Sequence, residues 1–334
     1  MVHLKTENIL KGAAIATCAA FISQGAMAAT NLTMSTCLPR NHDQVEAFFD
    51  TFVEQMKSDE TVVKLDFKGG PEITPRKRQG AALKRGLLHV ILCPTYYVGL
   101  VPEARALTPS TASPMRLRDN GGYDLLQKAW AKGMNARILG WGNHGGAQFH
   151  FYLGFKPKLS KKTGLDLKGI PIRGTAIYQP FLVKMGARSI NMGMTDLYTA
   201  LGRGVVKGFV WPEGGIAKFG WQKFIKYRVD VPFFRSSTTV MINLDKYNAL
   251  SKEGKAQIDA AGIFYELNSG RILREKANAD NKKVFASGVK HLKLSPQHAK
   301  ALVKTIYGSS WDNMKRFKFS VNKKQLRAKL FDDK

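Results

Sequence analysis

Short runs of alternating apolar and polar positions are separated by stretches with helical spacing, and the pattern occurs in two series. Leu32–Thr36 (LTMST) reads as a strand that ends at Leu38 and Pro39. Gln44–Met56 follows, with Val45, Phe48, Phe49, Phe52 and Val53 on one helical face. Val62–Phe67 alternates as a second strand. A helix over Arg76–Lys84 and a strand over Leu87–Leu92 come next, then the aromatic loop TYYVGLVPEAR. This β-α-β-α-β order predicts an α/β architecture with a largely parallel sheet and helices on both faces. Ligands of such sheets bind beyond the carboxyl ends of the strands, here Cys37–His42 and Pro94–Val98.

After an amphipathic helix over Asp124–Lys132 and a strand over Ala136–Trp141, the chain enters GNHGGAQFHFYLGF. Glycines and aromatics mix there with neither period, as suits a crossing between domains and a pocket wall. A second series then begins. Pro171–Arg173 reads as a strand, Ile177–Met185 as a helix stopped by Gly186, and Ser189–Met192 as a strand. Thr195 caps a helix to about Leu201, with Asp196 in its first turn, and Gly208–Trp211 is a strand closed by Pro212. A strand-rich return, VPFFRSSTTVMIN, precedes a long helical pattern from Ser251 to about Val289 that Gly270 is expected to interrupt. Ser295 opens a last helix, and the basic tail from Lys315 is expected to be mobile. Two domains crossed more than once by the chain imply a cleft between them.

Length and charge narrow the class. The 334 residues, 44% of them apolar, can bury two cores. Residues 1–28 read as a cleaved signal peptide: Lys5 and Lys11 precede the apolar run Gly12–Ile22, and Ala26 and Ala28 suit a peptidase. No later segment is apolar enough to span a bilayer, so a soluble periplasmic protein is expected. The net charge of +27 falls only to +26 without the leader, because Lys5, Lys11 and Glu7 leave together. The basic residues are spread out, with short clusters such as PRKRQ and KPKLSKK and no nucleic-acid motif beside them. A solvated positive surface is the reading, with no nucleic-acid partner. Cys37 and Cys93 follow two predicted strands and stand either as a disulfide or as two buried thiols. Neither a CxxC motif nor a Cys/His cluster supports structural zinc.

The central block carries a family likeness. Asp166-Leu167-Lys168-Gly169 with Ile172-Arg173, then Met185-Gly186-Ala187, then DLYTAL at Asp196–Leu201 with Gly204, Val205, Val206, Gly208 and Pro212, closely resemble the solute-binding subunits of tripartite ATP-independent periplasmic (TRAP) transporters, the DctP-like family. A weaker likeness covers nearly the whole chain after the leader. The resemblance implies a two-lobed type II periplasmic binding protein fold with a ligand cleft between domains and a long domain-spanning helix. Lobe I is expected over 29–152 plus about 241–275, lobe II over 153–240 plus about 276–320, and a basic tail over 321–334. It implies delivery of an organic carboxylate to the TRAP membrane permease subunits, through a transient contact with that membrane protein. Arg173 is then the residue that grips the carboxylate, as a planar guanidinium can with two parallel hydrogen bonds.

Departures from the family pattern shape the expected ligand. Relatives carry a second arginine where this chain reads Gln148-Phe149-His150-Phe151-Tyr152; Trp211 replaces a common asparagine, and Met194 a common aromatic. Such a pocket suits polyhydroxylated sugar acids and dicarboxylates poorly, since buried polar groups need partners. A monocarboxylate is expected, either a small 2-oxo or 2-hydroxy acid or an aromatic or branched acid. Arg173, Trp211, Tyr96, Tyr97, His150, Phe151, Tyr178, Met194, Glu213, Phe234 and Arg235 are the candidate ligand-binding residues. Glu213 is also the candidate ligand of a cation bridging to the bound acid, with no other cofactor implied. The alternative, a periplasmic enzyme acting on an organic acid, lacks a GxSxG, HExxH or phosphate-loop motif; His144 and His150 are the nearest histidine pair.

Overall fold

Strands formed from the two alternating series assemble into two large sheets, beside a separate two-stranded ribbon over Lys158–Asp166, in the computed structural model, which describes residues 29–142 and 146–331. The expected leader and His144 lie outside the described residues. In chain order the strands are β1 Thr30–Thr36, β2 Val63–Phe67, β3 Val90–Cys93, β4 Ala136–Gly142, β5 Gln148–Leu153, β6 Lys158–Ser160 and β7 Gly164–Asp166. They continue as β8 Pro171–Gly174, β9 Arg188–Asn191, β10 Gly208–Pro212, β11 Tyr227–Val229, β12 Phe233–Arg235, β13 Thr238–Asn243 and β14 Lys290–Leu292.

The first sheet has the order β2-β1-β3-β13-β4. Its β1 pairs in parallel with β2 and β3, while β13 runs antiparallel to both β3 and β4. The second has the order β14-β11-β5-β10-β8-β9, with β12 paired to β5. Here β8 is parallel to β9 and β10, and β5 is antiparallel to β10 and β11. Both sheets are therefore mixed: the first because β13 returns to it from the second half of the chain, the second because β5, entering from the crossing, runs against β10 and β11. The strand β5 corrects the expected boundary at 152: it belongs to the second sheet, and the crossing falls between β4 and β5.

The helix Lys252–Ala286 runs 35 residues without a break, and Gly270 does not interrupt it. A glycine costs a helix interior about 1 kcal/mol, and Leu273, Ala277 and Val284, all buried, hold the helix beyond it. At Gly262 the absence of a side chain is required. A Cβ there would lie almost on the Leu139 carbonyl, and one on Gly140 would come within 2.6 Å of the Gly262 oxygen. Backbone meets backbone where the long helix crosses β4.

The basic tail does not hang free. Lys323–Leu330 is a helix whose Leu326 and Leu330 are buried in the core of the first half. The Leu330 carbonyl accepts from the amides of Thr111 and Ala112. Two leucines at i and i+4 gave it an apolar stripe that overrides its charge. Cys37 and Cys93 are joined as a disulfide with Cα atoms 4.9 Å apart. Their strands are adjacent, with Thr36 opposite Leu92 in the β1–β3 register, so the thiols face each other at the strand ends. One hydrophobic cluster spans both halves, from Leu32, Phe48 and Val90 of the first to Leu197, Phe209 and Trp221 of the second.

Candidate functional site

The carboxyl ends of β1 and β3 face those of β8, β9 and β10 across a cavity of about 220 Å³. The first half contributes Leu38, His42 and Gln44 after β1, Arg76 and Lys77 at the start of the helix Arg76–Lys84, and Pro94, Thr95 and Tyr96 after β3. The second half contributes Phe149, Arg173, Tyr178, Asn191, Trp211 and Pro212. This is the crevice at strand ends where α/β sheets bind ligands.

Arg173 occupies the third position of β8, opposite Phe209 of β10. Only 1% of its surface is exposed. Its Nη1 donates to the Val210 carbonyl at 3.4 Å and its Nη2 to the Met192 carbonyl at 3.2 Å, while the buried Nε has no acceptor. The guanidinium carbon lies 5.0 Å from the centre of the Trp211 ring. Burial pulls the guanidinium pKa below its ordinary value, Tyr178 and Tyr96 hold it up, and Arg76 lowers it further. Arginine remains charged in such surroundings. A buried cation with two long carbonyl contacts and no carboxylate partner among the described residues is under-compensated, and an anion in the cavity relieves it.

Aromatic rings build the walls. Trp211 stands edge-on to Trp221 at 5.0 Å and faces His42 at 5.9 Å. Phe149 and Tyr178 are 5.6 Å apart. His42 caps the helix that starts at Asp43: its Nδ1 accepts from the Gln44 amide at 3.2 Å, which leaves the ring proton on Nε2. Burial brings its pKa down from 6.5 to about 4, so the ring is neutral at ordinary pH.

Of the eleven candidate residues, Arg173, Trp211, Tyr96 and Tyr178 line this cavity. The other seven do not. Tyr97 turns inward from the turn that presents Tyr96, packs against Trp130 and bonds to Thr239 through its hydroxyl at 2.7 Å. Phe151 lies two residues along β5 from Phe149, about 7 Å deeper, and is buried among Phe181 and Phe233. Phe234, with a φ of 40°, is core against Tyr307 and Phe181. Met194 packs into the cluster shared by both halves. The Arg235 guanidinium donates to the Thr111 carbonyl.

His150 and Glu213 belong to a polar node away from the cavity. His150 Nδ1 contacts the Val229 carbonyl at 2.8 Å, and its Nε2 is 3.6 Å from Glu213. Glu213 also meets Arg228 at 3.4 Å and Arg274 at 3.0 Å and accepts from the Gln148 amide. Burial raises the Glu213 pKa, but the neighbouring His150 ring, the Gln148 amide and the Arg274 charge outweigh it and hold the group down to about 2. The carboxylate is consumed by cations of the protein itself, which removes the reason to place a bridging metal on it. Among the described residues no three His, Cys, Asp or Glu side chains converge as a metal site. Arg76, Lys77 and Asn191 were not among the candidates, and His42 entered only as the end of the segment Cys37–His42 at which ligands were expected. The basic start of the helix in PRKRQ was the only signal for Arg76 and Lys77, and it reads equally as a solvated cluster.

The known proteins that this chain matches agree with the geometry. The model of the bacterial extracellular solute-binding proteins, family 7 (DctP), matches residues 115–318. Among solved structures, a TRAP periplasmic solute-binding protein from Desulfovibrio desulfuricans with bound sn-glycerol-3-phosphate superimposes with a TM-score of 0.76 at 16% identity, covering 90% of this chain and 96% of that one. A TRAP solute-binding protein from Bordetella bronchiseptica, with calcium and picolinate in its site, gives 0.75 at 19% identity over 91% and 92%. An extracytoplasmic solute receptor from Bordetella pertussis, binding pyroglutamic acid, gives 0.73 at 16% identity over 90% and 99%. The fold is thus the two-lobed fold of these receptors. With most of its length matched by the family model and its cavity at the strand ends of both sheets, the chain belongs to the DctP family of bacterial extracellular solute-binding proteins.

Proposed function

We propose that this protein captures a small organic acid in the periplasm, pairs its carboxylate with Arg173, and presents it to a TRAP permease in the membrane. The observation that carries the reading is Arg173: fully enclosed, one nitrogen without an acceptor, and no carboxylate of the protein beside it. A two-pronged bond from a ligand carboxylate supplies both the charge and the missing acceptor. Trp211, Tyr96 and Tyr178 provide apolar area for the body of the ligand. Picolinate and pyroglutamate, the ligands of two structural neighbours, are compact acids with one carboxylate each.

Thermal denaturation with a panel of small carboxylates tests this. A binder at a hundred times its Kd stabilises the folded state by about 2.7 kcal/mol, a shift of several degrees. In Arg173→Ala the shift is expected to vanish. An alanine variant that binds the same acid as tightly as the wild type would remove the salt bridge from the account.

A further inference from the structure

Arg173, the main charged anchor expected from the sequence, is joined at the cavity by a second arginine from the opposite lobe. Arg76 opens the helix Arg76–Lys84 and lines the same cavity as Arg173. Its guanidinium lies 5.0 Å from the Tyr96 ring centre and reaches the backbone after β9 in the second half. A Cβ on Gly193 would come within 2.5 Å of Arg76 Nη1 and 3.0 Å of Nη2, so the missing side chain there makes the room that the guanidinium fills. Among the described residues Arg76 has no ion pair.

The charge around it is one-sided. Arg76, Lys77 and Arg173 line the cavity, and no aspartate or glutamate does. Arg76 is close enough to Arg173 to lower its pKa. The helix behind Arg76 has no side-chain cap and no acidic residue in its first turn, where the positive end of the helix dipole favours anions. One carboxylate on Arg173 offsets one cation and leaves the Arg76 side uncompensated.

We infer that Arg76 is a specificity-determining residue that pairs with a second anionic group of the ligand from across the cleft. The inference rests on Arg173 as the carboxylate anchor. The ligand it describes is a short acid with a second anionic group at the end facing the first lobe, in place of the monocarboxylate expected from the sequence, because Arg76 supplies the partner that the missing second arginine was expected to deny it. That charge bonds to a residue of the opposite lobe, so it favours the closed cleft and not merely occupancy.

Titration calorimetry on the full chain with matched pairs tests this: pentanoate against glutarate, benzoate against isophthalate, and glycerate against 3-phosphoglycerate. In the wild type the tightest ligand is expected to be a two-anion member, roughly tenfold or more above its one-anion partner. Arg76→Gln and Gly193→Ala, which displaces the guanidinium while keeping its charge, are expected to erase that preference by lowering the two-anion affinity far more than the one-anion affinity. A one-anion member as the tightest ligand, or a preference that survives both substitutions, overturns the inference and leaves the Arg173 reading standing. If no member of any pair binds, or if Arg173→Ala binds as the wild type does, the anchor itself falls and the inference with it.

Discussion

His42 shows how one buried side chain links the cavity to the stability of the fold. Asp43 and Glu46 tend to raise its pKa and Lys218 to lower it, but burial dominates and brings it from 6.5 to about 4. The unfolded chain takes up a proton near pH 6.5, and the folded ring resists until about pH 4. Between those values the unfolded state holds more protons, so stability is fully present above 6.5 and is lost as the pH falls toward 4. The loss expected from this residue is on the order of 3 kcal/mol. Urea unfolding of the wild type and of His42→Asn, which keeps a capping acceptor but does not titrate, isolates it from the other acids. The variant is expected to lose distinctly less stability than the wild type between pH 7 and pH 4.5. Equal losses would show that the imidazole protonates without opposing the fold.

At the scale of elements, the cavity wall depends on how two strands end. The Cys37–Cys93 bond joins β1 to β3 at the point where each runs into the wall, Leu38 and His42 after one cysteine and Pro94 to Tyr96 after the other. It closes a loop with a sequence separation of 56 residues, worth on the order of 4 kcal/mol in the chain-entropy account. The double variant Cys37→Ser with Cys93→Ser is expected to lose about that much stability in urea and to bind its acid more weakly, since both loops gain freedom. Unchanged affinity in a folded double variant would confine the bond to stability alone. The strands of the first series were legible in the sequence because their pattern is local: Leu32–Thr36 was expected and Thr30–Thr36 observed, Val62–Phe67 expected and Val63–Phe67 observed. Arg173 was legible for a similar reason, standing near the end of a strand where ligands gather. Arg76 was not, because its place in the site depends on the approach of a helix start to Gly193 more than a hundred residues away. Phe151, Phe234 and Tyr97 looked like wall residues because composition shows that an aromatic is near a site but not which way it points. Glu213 was misread for want of its partners, since Arg228 and Arg274 reach it only in three dimensions.

For the whole molecule, the question is what holds the halves together around the cavity. Their shared apolar cluster is one answer, and it is not adjustable by charge or salt. A second contact is. The segment Ile216–Lys218 is pinned to the long helix by Asp280, which accepts from all three backbone amides. From there Lys218 crosses to the first half, with its Nζ 3.1 Å from Asp43 and 2.8 Å from Glu46. Lys276 of the long helix adds a contact to Glu46 at 2.9 Å. Lys218, Lys276 and Glu46 are partly exposed, and Asp43, though buried, is paired through the partly exposed Lys218, so each pair is worth about 1 kcal/mol at most and is screened by salt. A contact of that size cannot decide whether the protein folds, yet it can bias an opening equilibrium whose two states differ by a few kcal/mol. Lys218→Ala is therefore expected to leave the unfolding midpoint nearly unchanged. It should raise the dissociation rate of the bound acid by roughly threefold to fivefold, as loss of about 1 kcal/mol from the closed form requires. Adding salt should accelerate dissociation from the wild type more than from the variant, because only the wild type retains the pair to be screened. Stopped-flow displacement at low and high salt measures both. Matching rates and matching salt slopes would mean that the apolar cluster closes the cleft without help from Lys218.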